Sequence, residues 1–220
     1  MKDLETTPQE RESTSSYYYR LSSMGRNLIV IMALGLVAGG GASIVAVNGV
    51  PLIYYLIQYN SLVVHGMIWQ LVSSMIISPF NVSGLVDVGF NALAVYFLDP
   101  LLSAVYSEKQ YFTVFFATGI FGNILSLFGL GLGGASFGAS GGLFGLVAGA
   151  VTFDYALNQR VNQSLLIWFV IIFVFSSFLF PNVDYFAHLG GAILGALLGY
   201  RIGNARRREF FYRISYRTNY

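Results

Sequence analysis

The sequence contains no cysteine, which excludes a disulfide framework, a thiol nucleophile and a zinc–thiolate site. It has only two histidines, His65 and His188. Because they fall on different predicted elements, we expect neither a metal site nor a bound cofactor. Charge is also scarce: 10% of the residues are charged and 55% are hydrophobic, whereas soluble domains average about 25% charged residues. The composition therefore predicts an integral membrane protein.

Apolar segments recur along the chain, each close to the roughly 17–25 residues that a helix needs to cross a bilayer. They predict a six-helix membrane domain over 27–204, between a disordered cytoplasmic N-terminal tail (1–26) and a basic cytoplasmic C-terminal tail (205–220). The N-terminal tail is polar and of mixed charge, so it lacks the short basic region of a secretory signal. The predicted spans cover 27–48, 84–106, 110–133, 138–157, 164–181 and 184–204.

The lysines and arginines predict the orientation of these spans. With six crossings, all twelve basic residues fall on one side, and the connections 49–83, 131–137 and 182–183 contain none. Cytoplasmic loops are enriched in such residues, so we expect a multi-pass protein with both termini in the cytoplasm. The long external connection 49–83 is apolar and aromatic without an uninterrupted span. We expect it to lie at the membrane interface, as an amphipathic connector or as a structure that covers a site.

Polar side chains within membrane spans are energetically costly, and they often mark functional sites. The second, fourth and sixth spans run in the same direction, and they carry Asn91, Ser140 and His188 within roughly 10 Å of their outer ends. Each has an ordinary explanation: a serine bonding back to its own helix, an asparagine joining two helices, a structural histidine. Their shared depth favours convergence on one site.

The fourth and sixth spans each carry a stripe of glycines. Such stripes allow two helix backbones to approach closely, which would bring the polar side chains together. If the stripes face each other, Ser140 and His188 meet as a nucleophile and its general base. No Asp or Glu is obviously placed to complete a triad; the one candidate is Asp184, one turn before His188. The stripes are Gly141, Gly145 and Gly149 on the fourth span and Gly191, Gly195 and Gly199 on the sixth.

These residues resemble the motifs of rhomboid intramembrane serine proteases. The segment GASG at 138–141 looks like the family's GxSG motif, and AHLGGAILG at 187–195 looks like its AHxxGxxxG motif. The segment GMIWQLVSS at 66–74 is similar to the WR-containing part of the first external loop, with Gln70 where arginine is usual. Asn91 matches the asparagine of the HxxxN motif. The joint pattern is far more specific than a lone GxSG.

The resemblance implies an all-α, rhomboid-like bundle of six transmembrane helices with an interfacial first external loop. It implies a dyad of Ser140 as nucleophile and His188 as base, with the Ser140 N–H and the Asn91 side chain as oxyanion hole. Phe144 would pack on the histidine ring. The fifth span would be a gate that admits single-pass transmembrane substrates from the lipid bilayer. The supporting residues would be Phe144, Gly138, Gly141, Gly191, Gly195 and Asp87.

Besides Gln70, two more positions depart from the family pattern. Asp87 stands where the HxxxN motif has histidine, and Ser78 stands where a second histidine is often found. An ionised carboxylate at this place repels a developing oxyanion, whereas burial favours a neutral acid that can donate. The departure bears on catalytic efficiency and leaves the fold unaffected.

Two other functions stay open from the sequence. A rhomboid-like pseudoprotease would bind transmembrane helices without cutting them. A small transporter or channel subunit would carry ionisable residues at the midplane or inverted repeats, and neither is evident. Nucleic-acid binding is not expected, because Arg206, Arg207 and Arg208 read as a cytoplasmic stop signal that attracts anionic headgroups. The sequence does not specify an oligomeric state or a natural substrate.

Overall fold

The computed structural model describes residues 20–178 and 183–218. Most of the predicted N-terminal tail and the end of the predicted fifth span lie outside the described residues. What is described is mostly helical, which confirms the all-α class. The helices are α1 (Ser23–Ile44), α2 (Asn60–Val64), α3 (Gln70–Ser73), α4 (Val82–Val105), α5 (Glu108–Gly129), α6 (Ser140–Asn158), α7 (Gln163–Phe178) and α8 (Tyr185–Thr218).

Short strands add a minor β component that the sequence did not predict. Strand β1 (Ala46–Val47) pairs antiparallel with β2 (Val50–Pro51), and β3 (Gln58–Tyr59) pairs antiparallel with β4 (Ala135–Ser136). A short 3₁₀ helix, Leu52–Tyr55, follows β2. The second ladder joins the external connection to the segment just before α6.

Four of the described helices, α1, α4, α5 and α6, are long and apolar enough to cross a membrane. Helix α7 is a shorter apolar helix. Helix α8 continues past residue 204 to Thr218, so the basic segment predicted as a separate tail is helical to that point. The chain is thus a multi-pass integral membrane protein, and the count of six crossings stays a prediction.

Local capping explains where three of the long helices begin. The Ser22 and Asn81 side chains accept from the backbone N–H groups of Gly25 and Gly84, over 3.1 and 3.0 Å. Ser107 starts α5 with a capping box completed by Gln110. Such side chains satisfy backbone donors that have no partner within the helix.

Helix α6 is the centre of the bundle. In the most apolar 18-residue stretch of α6, 67% is buried, compared with 28–39% in the corresponding stretches of α1, α4 and α5. It packs most extensively against α8, and α4, α5 and α7 also contact it. Leu146 and Ala150 are fully buried, and the Leu146 carbonyl accepts a hydrogen bond of 2.9 Å from the Tyr106 hydroxyl.

The two predicted glycine stripes do face each other across α6 and α8. A Cβ atom on any of the three α8 glycines would collide with the backbone of its α6 counterpart. The backbones are therefore too close for any side chain between them, and this packing is a main source of helix association in a membrane. The facing pairs are Gly191 with Gly141, Gly195 with Gly145, and Gly199 with Gly149.

The external connection is a folded unit held by buried polar side chains. Gln70 is fully buried; its Oε1 accepts from Tyr59 N and its Nε2 donates to Tyr54 O, both over 2.9 Å. Asn123 of α5 donates to the Leu71 carbonyl over 2.8 Å. The residue at the usual arginine position therefore organises the loop through neutral hydrogen bonds. Its depth in a bilayer stays a prediction.

Candidate active site

A tight turn presents Ser140 at the first position of α6. Gly138 has φ +116°, a conformation that favours glycine, and its N–H donates to the Ser74 carbonyl over 2.8 Å. A Cβ at Gly138 would also meet the Asp87 carboxyl group, at 2.8 Å from its carbon. Both the positive φ and the contact with Asp87 therefore favour glycine at position 138. The first N–H groups of the helix have no partner within it and lie at its positive end.

Ser140 and His188 are brought together by the glycine contact between α6 and α8. The serine Oγ lies 2.8 Å from His188 Nε2, although the two residues are 48 positions apart in the chain. His188 is 3% exposed. A hydroxyl and an imidazole at this distance can exchange a proton, which is the geometry of a nucleophile and its base.

The histidine ring is held on its face by an aromatic side chain. The Phe144 and His188 ring centroids are 4.5 Å apart, with the planes tilted by 40°. Phe173 of α7 approaches the ring edge-on, with centroids 6.4 Å apart. The structure therefore places Phe144 beside the histidine, where the resemblance implies it.

Asp184 is not the third member of a triad, as the sequence had allowed. Its Oδ1 accepts from the backbone N–H of Ala187 over 3.1 Å, which makes it a helix-capping residue at the start of α8. The atom that faces His188 Nδ1 is instead the Ser177 hydroxyl of α7, at 2.9 Å. Sequence reasoning missed Ser177; the available signal was a pair of hydroxyl residues, Ser176 and Ser177, in an otherwise apolar segment.

Asp87 and Asn91 form one hydrogen-bonded cluster with Ser78. Asn91 Nδ2 donates to Asp87 Oδ1 over 2.8 Å, and the Ser78 hydroxyl donates to Asp87 Oδ2 over 3.2 Å. Asn91 and Ser78 are 7% and 2% exposed. Because the Asp87 carboxyl lies against Gly138, this cluster touches the turn that presents Ser140.

The other histidine is hydrogen-bonded within its own segment. His65 is exposed at the end of α2, and its Nδ1 lies 2.6 Å from the Ser61 carbonyl. Among the residues that the structure describes, no three histidine, aspartate or glutamate side chains are grouped so that they could hold a metal ion. The contacts of Ser140 and His188, with their neighbours on α4 and α7, define the candidate site.

Comparison with known proteins agrees with the motifs. A family model described as the rhomboid domain matches residues 65–205, more than half of the chain. Rhomboid-type serine protease 2 of Emericella nidulans is 35% identical over 128 residues. The putative rhomboid protease YdcA of Bacillus subtilis is 27% identical over 155 residues, and RHOMBOID-like protein 1 of Arabidopsis thaliana is 31% identical over 146 residues.

The relatives differ in how much of them the chain spans. The alignments cover 56% of this chain and 25% of the Emericella protein, and 69% of this chain and 76% of the Bacillus protein. For the Arabidopsis protein the shares are 64% and 36%. The region that the family model matches, 65–205, includes α4 to most of α8 and thus all the side chains of the candidate site.

Proposed function

Because the chain belongs to the rhomboid family, its function is rhomboid protease-like, and we propose that it is an active intramembrane serine protease with a Ser140–His188 dyad. The observation that carries the proposal is the 2.8 Å separation between Ser140 Oγ and His188 Nε2. The burial of His188 and the face contact with Phe144 support it, since a fixed ring keeps Nε2 aimed at the hydroxyl.

The dyad carries out acyl transfer in two halves. His188 Nε2 takes the proton from Ser140 Oγ as that oxygen attacks the scissile carbonyl carbon. The imidazolium then gives this proton to the leaving nitrogen, the C–N bond breaks, and an acyl-Ser140 ester remains. In the second half His188 takes a proton from water, the hydroxide adds to the acyl carbon, and the Ser140 oxygen leaves with the proton returned by His188.

Charge that develops on the carbonyl oxygen needs donors fixed in advance. The Ser140 backbone N–H at the start of α6 is one such donor. Asn91 is the second: its amide carries two hydrogens, of which one is donated to Asp87. Loss of one donor of this kind costs about 10²–10³ in rate.

The proposed substrates are single-pass transmembrane proteins that enter from the lipid past α7. This helix contacts α6 and α8 only sparsely and exposes large apolar side chains, with Ile167, Trp168 and Phe175 each 56–64% exposed. A loosely packed apolar helix can move aside at low cost. With both termini in the cytoplasm, Ser140 lies near the outer face, where water for hydrolysis is available.

One observation favours a second candidate, a rhomboid-like pseudoprotease. The Asp87 carboxyl group occupies the histidine position of the family pattern and engages the Asn91 amide directly. A carboxylate there opposes the formation of an oxyanion nearby. The dyad would then be intact in geometry but slow in chemistry, and the chain would bind transmembrane helices without cutting them.

A fluorophosphonate probe separates the two candidates, because it labels only an activated serine. In purified detergent-solubilised protein, we expect labelling of the wild type and none of Ser140→Ala or His188→Ala. Labelling of Asp87→His but not of the wild type, with both folded, would support the pseudoprotease. An absence of labelling in all four folded proteins would overturn the enzyme proposal.

A further inference from the structure

The buried contact between His188 Nδ1 and the Ser177 hydroxyl has no role in the dyad as described above. The two atoms are 2.9 Å apart, and the residues are 3% and 4% exposed. They belong to different helices, α8 and α7. Ser177 is therefore the hydrogen-bond partner of the ring nitrogen that faces away from Ser140.

The tautomer of His188 decides whether the ring can act as a base. Nε2 can take the Ser140 proton only if it carries none itself, so the proton of the neutral ring must sit on Nδ1. A buried N–H without an acceptor is costly. In that tautomer the Ser177 oxygen is the acceptor at Nδ1, in the place that a carboxylate takes in a Ser-His-Asp triad.

We propose that Ser177 is a positioning residue that holds His188 in the tautomer with a free Nε2. The inference rests on the proposed function, since it assigns a role relative to the Ser140 nucleophile. Phe173, one turn before Ser177 on α7, also touches the ring. Two contacts from α7 thus orient the base, and the helix proposed as the gate is also part of the catalytic arrangement.

The test compares three variants in the full chain. Ser177→Ala removes the acceptor, Ser177→Thr keeps it, and Ser176→Ala is the matched control, because the Ser176 hydroxyl donates to the Ile172 carbonyl of its own helix over 2.7 Å. With a transmembrane peptide substrate, we expect Ser177→Ala to lower kcat about tenfold to a hundredfold with KM unchanged. Ser177→Thr should stay near the wild-type value, and Ser176→Ala should match it.

A second measurement does not depend on turnover. In ¹⁵N-histidine-labelled protein, NMR distinguishes protonated from unprotonated ring nitrogens, and His65→Gln leaves His188 as the single histidine. We expect a protonated Nδ1 in the parent and in Ser177→Thr, and a mixture of tautomers in Ser177→Ala.

The outcomes separate this inference from the proposed function. An active wild type whose kcat and tautomer are unchanged by Ser177→Ala overturns the positioning role. Equal losses in Ser177→Ala and Ser177→Thr also overturn it, because they indicate packing rather than hydrogen bonding. A folded wild type without activity, but with the Ser177-dependent tautomer, supports the positioning role and rejects the protease.

Discussion

The Ser78 hydroxyl donates to Asp87 Oδ2 over 3.2 Å, and these two residues stand where the rhomboid pattern has, or often has, a histidine that this chain lacks. These two departures from the pattern thus contact each other. Ser78 and Asn91 each donate a hydrogen bond to one oxygen of the Asp87 carboxyl group, so both oxygens have a partner. The cluster contacts the Gly138 turn, so we expect a substitution at Asp87 to affect Ser140.

The charge of Asp87 should limit the rate of the proposed reaction. Asp87→Asn keeps the size of the side chain and removes the group that opposes an oxyanion when it is ionised. We expect fluorophosphonate labelling to become about tenfold faster, which corresponds to relieving roughly 1.4 kcal/mol of repulsion in the transition state. The measurement is the second-order labelling rate constant of detergent-solubilised protein.

A matched control for this charge change exists at the far end of α6. Asp154 and Asn158 form the same pair four residues apart, with Asn158 Nδ2 donating to Asp154 Oδ1 over 2.8 Å. Asp154→Asn should leave labelling unchanged. A rate for Asp87→Asn at or below that of the wild type would show that the carboxyl group assists the reaction as a donor or holds the turn.

The Asn91 amide should matter for the transition state rather than for substrate binding. Asn91→Ala removes one of two proposed oxyanion donors, and we expect kcat to fall about 10²–10³-fold with KM little changed. Cleavage of a transmembrane peptide in detergent gives both constants. Asn158→Ala is the matched control and should match the wild type. An equal loss in kcat for both variants would indicate a general effect of removing an asparagine–aspartate pair.

The stability of the α6–α8 contact should depend on its glycines. Gly195→Ala places a methyl group against the Gly145 backbone, and such overpacking costs about 1–3 kcal/mol. We expect a lower midpoint of thermal unfolding in detergent and slower labelling of Ser140, because the helices that carry the dyad must separate.

Gly89→Ala on α4 is the control for this substitution, since open space surrounds that position. A helical glycine costs roughly 0.5–1 kcal/mol relative to alanine, so this variant should be as stable as the wild type or slightly more so. Equal destabilisation by both substitutions would contradict the view that backbone contact at Gly195 is what matters.

Patterns repeated within one segment were readable from the sequence. The glycine stripes lie at every fourth residue, and the structure confirms that they face each other. Ser140 and His188 were predicted to meet on that basis, and their side chains lie 2.8 Å apart. The buried role of Gln70 was not predicted, because its hydrogen bonds reach Tyr59 and Tyr54 through the fold of the loop.

Asp184 shows why sequence proximity misleads. It precedes His188 by one turn, yet its carboxylate caps the start of α8, because the free N–H groups of a helix's first turn attract a nearby acceptor. The partner of Nδ1 comes from α7, eleven residues earlier in the chain. Two adjacent serines in an apolar helix carry no pattern that reveals which neighbour each of them faces.

Composition and residue spacing were enough to predict the membrane environment, the helical class and the candidate nucleophile and base, because both are local properties of the chain. The contacts of Ser177 with His188, and of Ser78 and Asn91 with Asp87, arise from the packed bundle. Those contacts depend on how far each helix is rotated and shifted along its neighbours. Rotation and shift are set by the packing of all the helices together, so no single segment encodes them.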